Sequence, residues 1–240
     1  MFKPRALPGG AGGRPFKLPF VQVEVSRAAS LLTSEVDEMF ALFGEAFRAR
    51  REGFERDLRE KDFVLRVRQE GKIEAFSTLV THSPEPGVKL LFSGDTYASE
   101  RARLGAGLPG LWARYVYREM PREPGFEYYW LLLCSGFRTY RLLPTFFKNF
   151  SPGPQRSYSL EEKRLQWTRS LYGDRFQNGV VRPHWATPLL APEPPQRLAE
   201  DAHVKFFLTA NPGFKEGDEL ACLVSLAADN LTEAGQRLAL

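Results

Sequence analysis

The segment from Lys89 to Met120 constrains this chain most. A strand-like run, Leu90-Leu91-Phe92, breaks at Ser93-Gly94-Asp95-Thr96, passes through Arg101-Ala102-Arg103-Leu104-Gly105-Ala106-Gly107, and restarts as a helical pattern over about Leu108 to Met120. A strand, a glycine-bearing loop and a helix N-terminus together offer unpaired backbone N–H groups and the positive end of a dipole to an anion. A phosphate or pyrophosphate suits that geometry, although a surface loop leading into a packed helix carries the same pattern.

Charge does not point to a nucleic acid. The formal net charge is +4, but Lys3, Arg5, Arg14 and Lys17 lie in the first twenty residues, which contain no acid. Without those four, 29 basic residues face 29 acidic ones, so the high isoelectric point reflects the arm rather than a basic surface on the body. Within the body, the stretch from Tyr128 to Leu160 holds Arg138, Arg141, Lys148 and Arg156 and no acid. Cys134 and Cys222 each sit in an apolar run and read as reduced core residues of a cytoplasmic protein. His82, His184 and His203 are isolated, without metal-ligand spacing, so no structural metal is expected. No apolar run is long enough for a secretory signal or a membrane span.

With 240 residues, 43% of them hydrophobic and 19 of them Phe, one large core is affordable. Residues 1–20 read as a flexible basic arm and 21–240 as one α/β (α+β) domain. A helix is expected from Ser34 as N-cap, with an apolar stripe of Val36, Met39, Phe40, Phe43, Phe47 and Phe54. Alternation around Phe63 to Val67, the turn Glu70-Gly71-Lys72 and the run Ile73 to Val80 predict a hairpin, joined by a strand ending at Phe92 into an antiparallel meander. A buried strand over Tyr128 to Cys134 leads through Ser135-Gly136 into a helix kinked near Pro144. A further helix and turns follow from Leu160 to Val181. Pro183 to Pro195 is a loop or crossing strand, and Val204–Thr209 with Leu220–Leu226 is expected to form a closing hairpin.

The element order, with a basic glycine loop after the fourth strand, resembles the GNAT N-acyltransferase superfamily, and in part its long-chain or fatty N-acyltransferase branch. The family's loop reads Arg or Gln, two residues, Gly, one residue, Gly or Ala. Here Gly105 and Gly107 match, while Ala102 stands where Arg or Gln is expected, flanked by Arg101 and Arg103. The resemblance implies a mixed, mostly antiparallel sheet with a splayed central pair of strands holding an acyl thioester. It implies acyl coenzyme A or an acylated carrier protein as co-substrate, a small amine, amino acid or peptide as acceptor, and no tightly bound cofactor.

Acyl transfer to an amine needs a base for the ammonium proton and an acid for the departing thiolate. Asp95 is the first candidate base and Glu100 the second, while an Asp in a turn also bonds its own backbone. The resemblance implies Tyr140 as the acid, although a core Tyr with a bonded hydroxyl fits the pattern equally. Ser93, Arg101, Arg103, Gly105, Ala106 and Gly107 are candidates for holding the donor. Trp130, Arg138 and Arg141 are candidates for the acceptor side, the two arginines as a carboxylate clamp or as partners of surface acids. The competing reading is a non-catalytic binder of acyl coenzyme A or another anion.

Overall fold

In the computed structural model, which describes residues 21–103, 108–154, 158–184 and 187–239, the chain begins with β1 (Val21–Arg27), then α1 (Thr33–Phe43) and α2 (Arg51–Arg59). Next come β2 (Phe63–Gln69), β3 (Lys72–His82) and β4 (Val88–Ala98), followed by α3 (Glu100–Arg103) and α4 (Leu108–Arg114). After β5 (Glu127–Cys134) come α5 (Phe137–Tyr140), α6 (Leu142–Phe146), β6 (Phe150–Ser151) and α7 (Tyr158–Tyr172). The chain closes through β7 (Phe176–Gln177), β8 (Val180–Val181), α8 (Ala202–Ala210), β9 (Glu219–Ser225) and α9 (Glu233–Ala239).

One mixed sheet runs β1-β2-β3-β4-β5-β9-β8-β7, with β6 also on β9. Every described pairing is antiparallel except β4 with β5. Side chains alternate between two covered faces, as period-2 geometry requires. Val64 and Phe76 pack with Phe43 and Phe54 of α1 and α2, and Leu90, Phe92, Leu131 and Leu223 pack with Leu160 and Trp167 of α7. On the opposite face Leu91, Trp130, Leu132 and Cys222 pack with Trp112 of α4, Leu143 of α6 and Phe207 of α8. The expected meander β2-β3-β4 is present, and its first turn takes Glu70 and Gly71 at φ 53° and 83°, the left-handed pair a two-residue hairpin needs.

Several expectations are corrected. The helix begins at Thr33 rather than after a Ser34 cap, because the Glu35 carboxylate reaches back to accept from the Leu32 N–H. The Phe stripe spans two helices, α1 and α2, rather than one. The strand through Phe92 does not break at Ser93 but continues to Ala98. Leu79 pairs with Ser93 and Ser77 with Thr96, so Gly94 and Asp95 together oppose Thr78 as a β-bulge that keeps the ladder going beyond it. The closing hairpin does not form. Residues 204–209 belong to α8, whose start is fixed by Asp201 accepting from the His203 and Val204 N–H groups, and β9 pairs with β5, β6 and β8 instead. Strand β1, on the edge, was not anticipated. The expected arm, residues 1–20, lies outside the described residues. Among the described residues, no helix is long and apolar enough to cross a membrane.

Candidate active site

The parallel pair β4 and β5 holds register only from Val88/Glu127 to Ser93/Leu132. Beyond Ser93 the bulge turns β4 away, while β5 continues through Leu133 and Cys134 against β9 alone. A V-shaped opening results in the middle of the sheet. A cavity of about 510 Å³ runs through it, a volume in the range of small-molecule sites. Its walls come from both faces: Phe43, Phe54 and Tyr172 on one, Trp112, Phe147 and Leu231 on the other. Pro183, His184 and Thr187 of the proline-rich segment also line it, held near α1 by the Phe47–Leu189 bridge.

Two carboxylates meet this cavity from the strands that flank β5: Asp95 from the β4 bulge and Glu219 from the first position of β9. Burial, with added repulsion from Asp57, pushes Asp95 from 3.8 up to about 7, against the pull of Lys61. Burial, then Asp95 and Asp57, pushes Glu219 from 4.5 up to about 8. At neutral pH the pair therefore retains a proton that two ordinary carboxylates would have lost. Asp57 and Lys61 complete the cluster, with Lys61 Nζ 2.6 Å from Asp57 Oδ1. Asp57 Oδ2 is buried without a hydrogen-bond partner.

Of the residues singled out from sequence, Asp95, Ser93 and Trp130 line the cavity. The Trp130 indole donates to Ser93 Oγ at 2.9 Å and stacks on Trp112 with ring centroids 3.9 Å apart, so this pair forms a rigid aromatic wall. Glu100 is exposed at the start of α3, away from the cavity lining. Arg101 pairs with Glu70 at 3.0 Å. Gly105, Ala106 and Gly107 lie outside the described residues, as does the Arg103 side chain. Ala102 is buried, and its N–H donates to Ser99 Oγ.

Tyr140 is not brought to Asp95. It is fully buried among Phe150, Phe206 and Phe207, and its hydroxyl donates to the Pro152 carbonyl at 3.0 Å. The preceding residue, Thr139, lines the cavity instead. Arg141 pairs with Asp201 at 3.2 Å, and Arg138 lies over the Phe137 ring, so neither forms part of the cavity wall. Replacing Tyr140 with Phe is expected to cost about 1 kcal/mol of stability, the worth of one hydrogen bond. Urea unfolding measures it. A Tyr140→Phe variant with wild-type stability would mean the bond to Pro152 is not made in solution.

Sequence reasoning missed Glu219, Asp57 and Lys61. Glu219 opens an otherwise apolar strand, and an acid at that position reads as a strand-end residue. The convergence depends on β9 lying beside β5, which the expected closing hairpin hid.

The sequence matches no family model, and no curated protein matches it. Solved structures do match. An acyl-CoA N-acyltransferase from Pseudomonas aeruginosa is 19% identical, with a TM-score of 0.34 over 47% of this chain and 79% of that one. Escherichia coli ElaA is 12% identical, with a TM-score of 0.38 over 57% of this chain and 90% of that one. The ribosomal-protein-S18-alanine N-acetyltransferase from Escherichia coli is 11% identical, with a TM-score of 0.37 over 88% of this chain and 99% of that one. The sheet itself has the arrangement expected from the sequence: an antiparallel β2-β3-β4 meander, a bulged β4 and a splayed parallel β4–β5 pair make it mixed and mostly antiparallel.

Proposed function

We propose that this protein is an N-acyltransferase that moves an acyl group from a thioester to an amine, with Asp95 as the general base. The observation that carries this reading is the place of the Asp95 carboxylate, at the bulge where β4 leaves β5 and in the wall of a cavity of about 510 Å³, where burial pushes it up to about 7. An ammonium acceptor must lose a proton before its nitrogen can attack. A base with a pKa near the working pH is both ionised often enough and basic enough to take that proton. The nitrogen then bonds to the acyl carbon, the C–S bond breaks with its electron pair on sulfur, and the thiolate takes up a proton. Glu219, which burial pushes up to about 8 and which lines the same cavity, is the group of the cluster that returns one.

The donor is acyl coenzyme A or the phosphopantetheine of an acyl carrier protein, and the acceptor a small amine, an amino acid or a peptide. The apolar walls of Phe43, Phe54 and Phe92 favour an acyl group with a hydrocarbon body. The unit acting is residues 21–240. Incubation with acetyl, octanoyl or palmitoyl coenzyme A and a panel of amines should release free thiol only when both substrates are present. Saturable thioester binding without thiol release from any mixture would overturn the enzymatic reading in favour of a binder.

A further inference from the structure

We infer that Lys61 is the positioning residue for the Asp95 carboxylate, threaded past the bare Gly94 backbone so that its ammonium favours the charged form of Asp95, the form that accepts a proton. The inference rests on the acyl-transfer reading for its purpose, but its physical content stands on the site itself.

Lys61 follows the C-terminal end of α2. A Lys four residues after an Asp in such a turn ordinarily forms a solvent-facing pair worth little. Here the side chain is only 3% exposed and crosses beneath β4, with Nζ 5.2 Å from the Phe92 ring centroid and 2.6 Å from Asp57 Oδ1. An ammonium withdrawn from water costs several kcal/mol unless negative charge surrounds it. Asp57 supplies that charge directly, and Asp95 and Glu219 add to it when they ionise.

Gly94 makes the passage possible. A Cβ at that position would lie 2.4 Å from Lys61 Cε and 2.7 Å from Thr78 Oγ1. The bulge thus does two things at once: it turns Asp95 into the cavity, and it presents a side-chain-free backbone to the lysine. The other charged or titratable groups around the cavity are Arg56 of α2, Glu60 just after it, His82 of β3, Tyr117 after α4, Tyr172 of α7, Arg175 just after α7, and His184. Lys61 is the cation whose field is felt at both Asp95 and Glu219.

The test follows the Asp95 carboxyl carbon by 13C NMR across a pH titration, its signal identified by its loss in Asp95→Asn. Removing a nearby opposite charge raises a carboxylate, by about one unit or more when the charge lies within ~4–6 Å, so Lys61→Met should shift the midpoint upward. Gly94→Ala, which displaces the lysine, should shift it in the same direction. Asp57→Asn should shift it downward, because it removes a like charge while leaving an oxygen for Lys61. Should Lys61→Met not fold, the opposite signs of the other two variants decide. Midpoints that stay at the wild-type value would overturn the inference. If the midpoints move as stated but no mixture releases thiol, the positioning role of Lys61 stands and the acyl-transfer reading falls.

Discussion

Asp95→Asn should lower kcat/KM for acyl transfer by about 100- to 10,000-fold near neutral pH, the range by which a positioned general base accelerates a reaction. The substitution keeps the shape of the side chain and removes its basicity. The β4 bulge depends on the backbone register of Ser93 and Thr96 rather than on the carboxylate, so the fold should persist. The aromatic wall of Trp112 and Trp130 is likewise untouched, so saturation by the thioester should change far less than turnover. In the wild type, the rising limb of the pH–rate profile should have its midpoint near 7, where Asp95 loses its proton. In Asp95→Asn that limb should disappear. Steady-state thiol release across the pH range measures both effects. Full activity in the variant, or a limb still centred near 7, would remove Asp95 from the role of base.

Local patterns were legible wherever a side chain's surroundings lie close in sequence. The Glu70-Gly71 turn declared the β2-β3 hairpin, and the apolar run from Tyr128 to Cys134 declared a strand covered on both faces. Asp95 was legible as a polar residue placed where an apolar run ends. What was hidden is non-local. Ser93 to Thr96 reads as a break because Gly and Asp disfavour strands, whereas the meander pairing retains these residues through a bulge. Residues 204–209 carry β-compatible side chains, yet the Asp201 cap and the spacing of Val204 and Phe207 turn them into a helix. With that hairpin gone β9 is free to lie against β5, and only then does Glu219 line the same cavity as Asp95. Tyr140 illustrates the same limit in reverse. Its place in the chain is one residue from a cavity position, and on a helix one residue rotates a side chain by about 100°.

The cavity carboxylates should also set how stability varies with pH. For Asp95 and Glu219 the native state binds its proton more tightly than the unfolded chain does. Their stabilising effect is therefore complete below 3.8 and 4.5 and is lost as pH rises through about 7 and about 8. Glu35 and Asp201 act in the opposite sense. Burial pushes Glu35 up, but the Leu32 N–H and the Arg66 and Arg68 guanidinium groups outweigh it. Burial likewise raises Asp201, but the Val204 and His203 N–H groups and Arg141 hold it below its ordinary value. Their stabilisation is present above the ordinary carboxylate range and is lost as pH falls through their lowered values. Stability should accordingly peak in mild acid and fall toward alkaline pH. At about 1.4 kcal/mol per unit, and with the two carboxylates sharing one field rather than adding, the alkaline loss is on the order of 2–4 kcal/mol. Glu219→Gln removes one of the two charges, so at about pH 8.5 it should be more stable than the wild type by roughly 1–3 kcal/mol, with little gain at about pH 5. Urea unfolding at the two pH values provides the comparison. A wild type equally stable at both, with no alkaline gain in the variant, would mean that water reaches the cluster freely. A gain accompanied by slower thiol release would show that this strained pair of charges is retained for chemistry at the expense of stability.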